Sequence, residues 1–588
     1  LIKMREEIQV TNKTMELQDC KDDWFFNEKH GCWCLEDILY TEKALAPKFQ
    51  RLSIYVPAEY MKEKGEIDRE GRCKGYTAAT APVILQNNSA GYMQMPHMWL
   101  DGPRCNAGQY LDRGFVFVTC GNRGSESVDE KGNLCGKSPA NLVDLKTVIR
   151  FLRHNMASVP GDLNRIISVG TSAGGAMSAL LGVTGNHEDF LPYLKENGAF
   201  MEERDDVFAS QIYCPIVDLE HADLAYEWMF AADKENESSH AGPAGVMTPF
   251  QEALSARLKE RYIAYFNSLN LVNPAESRTD GAGTEAGSDE ILRLGSDGRS
   301  GSGYGYLMNL LNESAATYLS RLKNGALEEN YSAEDYLAGN YEHQVPAPRG
   351  EKKEDKDADL LQGHAGPGVA LQRSTGKELT LGDMVARPPV GTPYENMEPP
   401  MRTVPGKDKR KWLSWDGSRA VITSLDDYIL NYRRRMKPCT SFDTLGMDSG
   451  ENRVFGDRDK PFMHFNPEIG EAIREIAEEF PGEFSEECGK YDEAYKAVKG
   501  DKDLARRVAL FNPLNYTEAG DSADTDRHFR IRVGAYDADT SLTISMTLAL
   551  KLAMAGHEVD YALVWDKPHC DADYPGELCD WVEKICGQ

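Results

Sequence analysis

Residues 166–175 read Ile-Ile-Ser-Val-Gly-Thr-Ser-Ala-Gly-Gly, a β-prone apolar run that stops at a glycine–X–serine–X–glycine pattern centred on Ser172. No other stretch constrains the chain as strongly. The pattern suits a strand that ends in a sharp turn from which a helix starts at once, with the serine strained and its Oγ held clear of the sheet. Gly170 and Gly174 matter because a Cβ at either place would collide with neighbouring backbone, and Gly175 relieves crowding further. The flanks agree. Asn141 to Arg153 is helix-like, and Ala176-Met-Ser-Ala-Leu-Leu181 opens a second helix. A glycine-rich turn with an incidental serine is the alternative, but the strand–turn–helix context favours a nucleophile.

The remaining strand-like segments build a sheet around this elbow. Phe49 to Val56 alternates as a half-exposed antiparallel strand should. Ala81 to Leu85 and Gly114 to Thr119 are short continuous apolar runs of the buried parallel type, and Val207 to Pro215 follows the elbow. From about residue 220 to 505 the chain turns polar and helical. Residues 273–305 are rich in Gly, Ser, Asp and Glu, and residues 343–410 in Pro, Gly, Lys and Glu, so both read as mobile surface loops. Strand and helix alternation resumes with His528–Gly534, Leu542–Ala555, Val559–Trp565 and Glu577–Ile585. The expected fold is α/β: an α/β-hydrolase core made of residues 1–219 and 506–588, interrupted by a large, mainly helical lid over 220–505. Residues 1–44 are an extension of unassigned role.

Composition narrows the function classes. A net charge of −28 over 588 residues argues against binding a nucleic-acid backbone and favours a neutral or weakly charged substrate. No apolar stretch reaches the roughly 18 residues that would suggest a membrane span. The start, Leu1-Ile-Lys-Met-Arg-Glu-Glu7, lacks the apolar core of a signal peptide. The compartment therefore stays open: secreted or cell-surface if an upstream signal has been removed, cytoplasmic otherwise. Thirteen cysteines leave at least one unpaired, and Cys32-Trp-Cys34 has neither redox nor zinc spacing. No metal or organic cofactor is expected.

A serine hydroxyl needs a base to become nucleophilic and an acid to orient that base. In this fold the order is serine, acid, histidine, with the histidine after the last strand. Of twelve histidines, only His569 stands there; His528 and His557 lie at a strand entrance and a helix end. The loop Gly534-Ala-Tyr-Asp-Ala-Asp-Thr-Ser541 offers Asp537 and Asp539, of which Asp537 comes first and is the better triad member. Asp218 is the fallback acid. Backbone donors for a tetrahedral oxyanion are expected at Ala173 and in the loop Gln86–Tyr92, where Gly91 permits close approach or serves as an ordinary turn glycine.

These residues resemble a known family, the bacterial tannases. The resemblance rests on Asn88-Ser-Ala-Gly-Tyr-Met93, Gly121-Asn-Arg-Gly124, the elbow, Tyr213 to Asp223, Arg435-Met-Lys437, Phe442-Asp443, Glu451-Asn452, Phe455-Gly-Asp457 and Trp565-Asp-Lys-Pro-His569. It covers most of 45–588 and is absent from residues 1–44 and the polar insertions. It implies esterases that cleave galloyl esters, with a triad on Ser172, Asp537 and His569 and an oxyanion hole at Gly91 and Ala173. It further implies that Lys437, Glu451 and Asp539 read the gallate hydroxyls and that Ile216 packs on the ring. The partners implied are small-molecule galloyl esters and tannins. Such a cluster suits phenols, which need acceptors for their protons and a donor to a phenolic oxygen.

There are departures. Gly450 stands where a ring-packing proline is expected, and the lid is longer than in compact relatives. Cys570 follows the histidine as in fungal tannases and feruloyl esterases that tie it to a cysteine beside the serine, but Thr171 stands there and forbids that disulfide. The nearest rival reading is a feruloyl or chlorogenate-type hydroxycinnamate esterase. A non-catalytic binding protein that kept the fold is the second, disfavoured by the intact Ser/Asp/His set.

Overall fold

Short apolar runs with no polar face to offer water form interior strands covered on both sides. Among the described residues nine strands make one sheet: β1 Phe25–Asn27, β2 Cys32–Leu39, β3 Arg51–Pro57, β4 Val83–Asn87, β5 Val116–Cys120, β6 Ile166–Thr171, β7 Ala209–Tyr213, β8 His528–Gly534 and β9 Glu558–Val564. Their order in space is β1-β2-β3-β5-β4-β6-β7-β8-β9. From β5 to β9 neighbours are parallel; β1, β2 and β3 add antiparallel pairs at one side. The computed structural model describes residues 16–102, 105–236, 244–273, 290–346, 401–405, 411–518 and 528–587.

The helices Ala140–His154 and Ala173–Val183 flank β6 in sequence, as its neighbouring periodicity requires, and both are buried along nearly their whole length. Residues 25–39, which the sequence leaves unassigned, supply β1 and β2. Their alternation is interrupted by a register shift between Leu35 and Ile38 and by Asp37 at φ 62°, so no clean period of two marks them as strands.

β7 and β8 are neighbours although residues 214–527 lie between them. The helix Leu219–Met229 opens that stretch and packs against Leu542–Met554, which ties it to the sheet layer. Beyond it, Pro249–Ser268 starts with a Thr248/Gln251 capping box and buries Leu254, Leu258, Tyr262 and Phe266. Ser302–Lys323 and Pro467–Glu479 likewise bury one apolar stripe each. Residues 290–301 fall within the loop read as mobile, yet Leu292 and Leu294 are buried and Arg299 pairs with Asp426 at 2.8 Å. A few anchoring side chains suffice to order a stretch whose composition is otherwise that of a loop. Residues 274–289, 347–400 and 406–410 lie outside the described residues, between which Glu342–Pro346 and Met401–Pro405 pair antiparallel. Among the described residues no helix is long and apolar enough to cross a membrane.

Candidate active site

The carboxyl ends of the parallel strands lie at one edge of the sheet, where open α/β sheets place their ligands. Ser172 ends β6 there with φ 64° and ψ −124°, a conformation that costs a non-glycine residue strain. Its N–H donates to Tyr213 O at 3.0 Å, and its carbonyl accepts from Ala176 N at 3.0 Å and Ile216 N at 3.3 Å. Gly170 and Gly175 are hemmed in by backbone, whereas a Cβ on Gly174 would first meet the Asn87 side-chain oxygen at 2.6 Å. A Cβ on Gly170 would lie 2.3 Å from Gly174 O, and one on Gly175 would lie 2.5 Å from Tyr213 O.

Asn87, at the end of β4, was not singled out by the sequence. Its buried amide donates to Val169 O (3.1 Å), Gly174 O (3.1 Å) and Ser178 Oγ (3.0 Å), while its oxygen accepts from Ser89 N (3.3 Å). One side chain thus joins the elbow to the start of the loop that carries Gly91. Gly91 and Tyr92 follow at φ 54° and 58°. Tyr92 donates its hydroxyl to Ile216 O at 2.5 Å and stacks on Phe511. Ile216 itself is buried beside the elbow.

The acid and the histidine come from the next two strand ends. A Cβ on Gly534 would lie 2.1 Å from Lys567 O, so the bare glycine lets the loops after β8 and β9 close on each other. Asp537 Oδ2 meets His569 Nδ1 at 2.8 Å, and Asp537 Oδ1 accepts from Asp539 N at 2.7 Å. Asp539 Oδ2 stands 3.8 Å from the same ring nitrogen. Burial alone would lower the pKa of His569, but Asp537 and then Asp539 hold it well above the usual imidazole range. Thr171, beside the serine, donates its hydroxyl to Asp571, two residues past the histidine, and thereby ties the elbow to the histidine loop. Asp218 is engaged elsewhere: it accepts from Tyr265 Oη at 2.7 Å and Asn512 Nδ2 at 3.0 Å and pairs with His221 at 2.7 Å.

Cys214, inside the Tyr213–Asp223 motif, is a second residue to which the sequence assigns no role of its own. Its thiol donates to Cys570 O at 3.3 Å, and burial pushes it up to about 12, so it is a neutral thiol rather than a nucleophile. Donor atoms of Cys214, Asp537 and His569 lie within 4.8 Å of one another, but the neutral thiol and the Asp537–His569 bond leave the set poorly prepared to hold a metal ion. Neither Cys214 nor Cys570 forms a disulfide.

Facing these loops is the segment 435–452. Lys437 Nζ stands 3.9 Å from Asp539 Oδ1 and 4.2 Å from the centre of the Phe442 ring. Glu451 lies in the first turn of the helix Gly450–Val454, capped by Ser449. It is buried, and its Oε2 has no hydrogen-bond partner among the described residues. Burial pushes its carboxyl up, Lys437 partly offsets this, and Asp539 adds to it. The structure therefore brings Lys437, Asp539 and the Asp537–His569 pair together, with Glu451 buried close enough to sense both Lys437 and Asp539. The proline expected at 450 has no room, because even a Cβ there would lie 2.8 Å from Gly91 O.

The segment is held by two buried aspartates. Asp223 accepts from Ser441 N (2.6 Å), Phe442 N (2.9 Å) and Asp443 N (2.9 Å). Asp443 accepts from Asn452 Nδ2 (2.7 Å), Phe465 N (2.8 Å) and Asn466 N (2.8 Å) and pairs with His464 at 2.6 Å. Burial pushes Asp223 up to about 7 despite its three amide donors.

A mixed sheet with a strained serine elbow, and a carboxylate-held histidine on the loops past its last strands, define a carboxylic-ester hydrolase of the α/β-hydrolase class. The BD-FAE family model matches residues 100–233, and no curated protein sequence matches the chain. Among solved structures, a tannin acyl hydrolase in complex with 3,4-dihydroxybenzoate is 30% identical over 94% of both chains, with a TM-score of 0.65. A tannin acyl hydrolase in complex with ethyl gallate is 29% identical over 94% of both, also at 0.65. The tannase of Fusobacterium nucleatum is 28% identical over 94% of this chain and 95% of its own, again at 0.65. The chain belongs to the tannin acyl hydrolase family.

Proposed function

We propose that this enzyme hydrolyses galloyl esters of hydrolysable tannins and simple gallate esters through an acyl-enzyme on Ser172. Neutral His569, oriented by Asp537, takes the Ser172 proton as Oγ attacks the ester carbonyl. The backbone N–H groups of Gly91 and Ala173 stabilise the oxyanion. The imidazolium, stabilised by Asp537, then protonates the leaving alcohol. Water activated by the same histidine releases gallate. In this reading residues 1–219 and 506–588 form the hydrolase core, and 220–505 is an insertion that supplies one wall of the acyl pocket.

The observation that carries the substrate class is the buried cluster of Lys437, Asp539 and Glu451. An ammonium can donate to one phenolic oxygen, and two carboxyls can accept phenolic protons. A buried Glu451 Oε2 without a hydrogen-bond partner among the described residues is costly, and a ring hydroxyl would satisfy it. Ile216 supplies an apolar contact for the ring. A ferulate ring, with one hydroxyl and one methoxy group, would leave part of this cluster unpaired.

Turnover of methyl gallate against methyl ferulate tests the proposal. Gallate is expected to react faster, and faster ferulate cleavage would overturn the substrate assignment. Ser172→Ala is expected to remove esterase activity; unchanged activity would overturn the mechanism.

A further inference from the structure

Lys437 and Asp539 belong to segments far apart in the chain, and their spacing is set by the backbone beneath them. That backbone converges on one phenol. Tyr226, in the helix Leu219–Met229, is fully buried. Its hydroxyl oxygen accepts the N–H of Met436 at 3.1 Å and of Lys437 at 3.0 Å. Its proton is donated to Ala538 O at 3.0 Å, the residue between Asp537 and Asp539. Both lone pairs and the proton are therefore used, and every bond goes to a segment bearing a site residue.

The ring is fixed as firmly as the hydroxyl. Phe230 packs on it at a centroid distance of 4.5 Å, and Phe442, the ring beneath the Lys437 ammonium, meets it edge-on at 6.2 Å. The Arg435 guanidinium lies 5.2 Å from its centre and is paired with Glu227, the next residue of the same helix. Rotation of the phenol is blocked on each of these sides. A rigid hydroxyl of this kind transmits the position of one loop to the other.

We propose that Tyr226 is the positioning residue for acyl-group recognition: it sets the separation of Lys437 and Asp539 and with it the preference for an acyl ring bearing adjacent hydroxyls. The inference rests on the substrate class proposed above. Tyr226 touches no substrate. Without its hydroxyl, Lys437 N, Met436 N and Ala538 O lose their common partner, and the two loops relax independently. Sub-ångström displacement of positioning groups is enough to change rates by one to two orders of magnitude.

The test is Tyr226→Phe, assayed on methyl gallate and on 4-nitrophenyl acetate, whose acyl group has no ring hydroxyls. Gallate kcat/KM is expected to fall about tenfold or more, chiefly through KM, while acetyl transfer changes less than about threefold. Equal loss on both esters would indicate a merely structural role and overturn the inference, as would an unchanged ratio. In a Lys437→Met background, Tyr226→Phe is expected to add little further loss on gallate; a fully additive loss would also overturn it. Should Tyr226→Phe not fold, 3,5-difluorotyrosine placed at 226 keeps the ring and hydroxyl but weakens the acceptor. The gallate-to-acetate ratio should then fall at least about twofold, and an unchanged ratio refutes the inference. If the wild-type enzyme itself shows no preference for methyl gallate over methyl benzoate, the substrate proposal fails rather than the role of Tyr226.

Discussion

Gly450→Ala should slow the enzyme without unfolding it. Gly450 opens the helix Gly450–Val454, and a Cβ on it would stand 2.8 Å from the Gly91 carbonyl oxygen, whereas ordinary contact begins at 3.4 Å. One side must therefore give by about 0.6 Å, a large step in a close-packed interior. The helix is poorly placed to move: Ser449 caps Asn452 N at 2.9 Å, and Asn452 Nδ2 is bonded to Asp443 Oδ1 at 2.7 Å. The Gly91 turn is held too, by Met93 N to Ala90 O at 3.0 Å, by Ser125 N to Tyr92 O at 2.9 Å and by the Tyr92–Ile216 bond at 2.5 Å. The compliant element is the Gly91–Tyr92 peptide, whose tilt would turn the Gly91 Cα and shift the adjoining Gly91 N–H from its proposed oxyanion position. Loss of a whole oxyanion donor costs about 10²–10³ in kcat, so partial misalignment of one donor should cost about tenfold. Steady-state kinetics on methyl gallate are expected to show that loss in kcat, with KM within about threefold of wild type. Alanine favours helix over glycine by about 1 kcal/mol, so helix melting would not explain a slower enzyme. Wild-type kcat with an unchanged melting midpoint would refute the reasoning, because the Gly91 amide would then either be dispensable or free to adjust.

Glu451→Gln should lower kcat/KM for methyl gallate by about ten- to a hundredfold while sparing 4-nitrophenyl acetate, since it alters only the wall proposed to read the phenols; comparison of the two esters checks it. The acid limb of kcat/KM should lie above the ordinary imidazole range, because His569, the proposed base, must be neutral and Asp537 and Asp539 stabilise its charged form. Asp539→Asn should move that limb to lower pH, which a pH–rate profile on 4-nitrophenyl acetate reads directly. The raised folded pKa of His569 also stabilises the fold below its unfolded pKa of about 6.5, and this contribution is lost as pH rises through the folded value. Asn87→Ala should lower the melting midpoint, since the Val169 and Gly174 carbonyls and Ser178 lose a shared buried donor at about 1–3 kcal/mol for an orphaned group; calorimetry measures it.

The stretch 166–175 determined its own local structure. An apolar run with no polar face becomes a buried strand, and glycines at 170, 174 and 175 are what a turn this tight allows, so the elbow is legible from neighbours in sequence. The positions of Asp537 and His569 were legible for a related reason: each follows a strand whose pattern survives in the chain. Residues 25–39 hid two strands because a register shift and Asp37 at positive φ broke the alternation that would have marked them. Asn87, Cys214 and Tyr226 received no role from the sequence, although Asn87 and Cys214 lie within stretches it marked, because a side chain's partners are set by folding rather than by spacing. Tyr226 reaches Lys437 across 211 positions and Ala538 across 312, distances no local pattern encodes. Gly450 shows the same division. The sequence presents it as a missing proline, and only the packed Gly91 carbonyl explains why no side chain fits there. Local preference decided which elements form and where the reactive residues sit along them; close packing between distant segments decided which groups face each other, at what separation and with what charge.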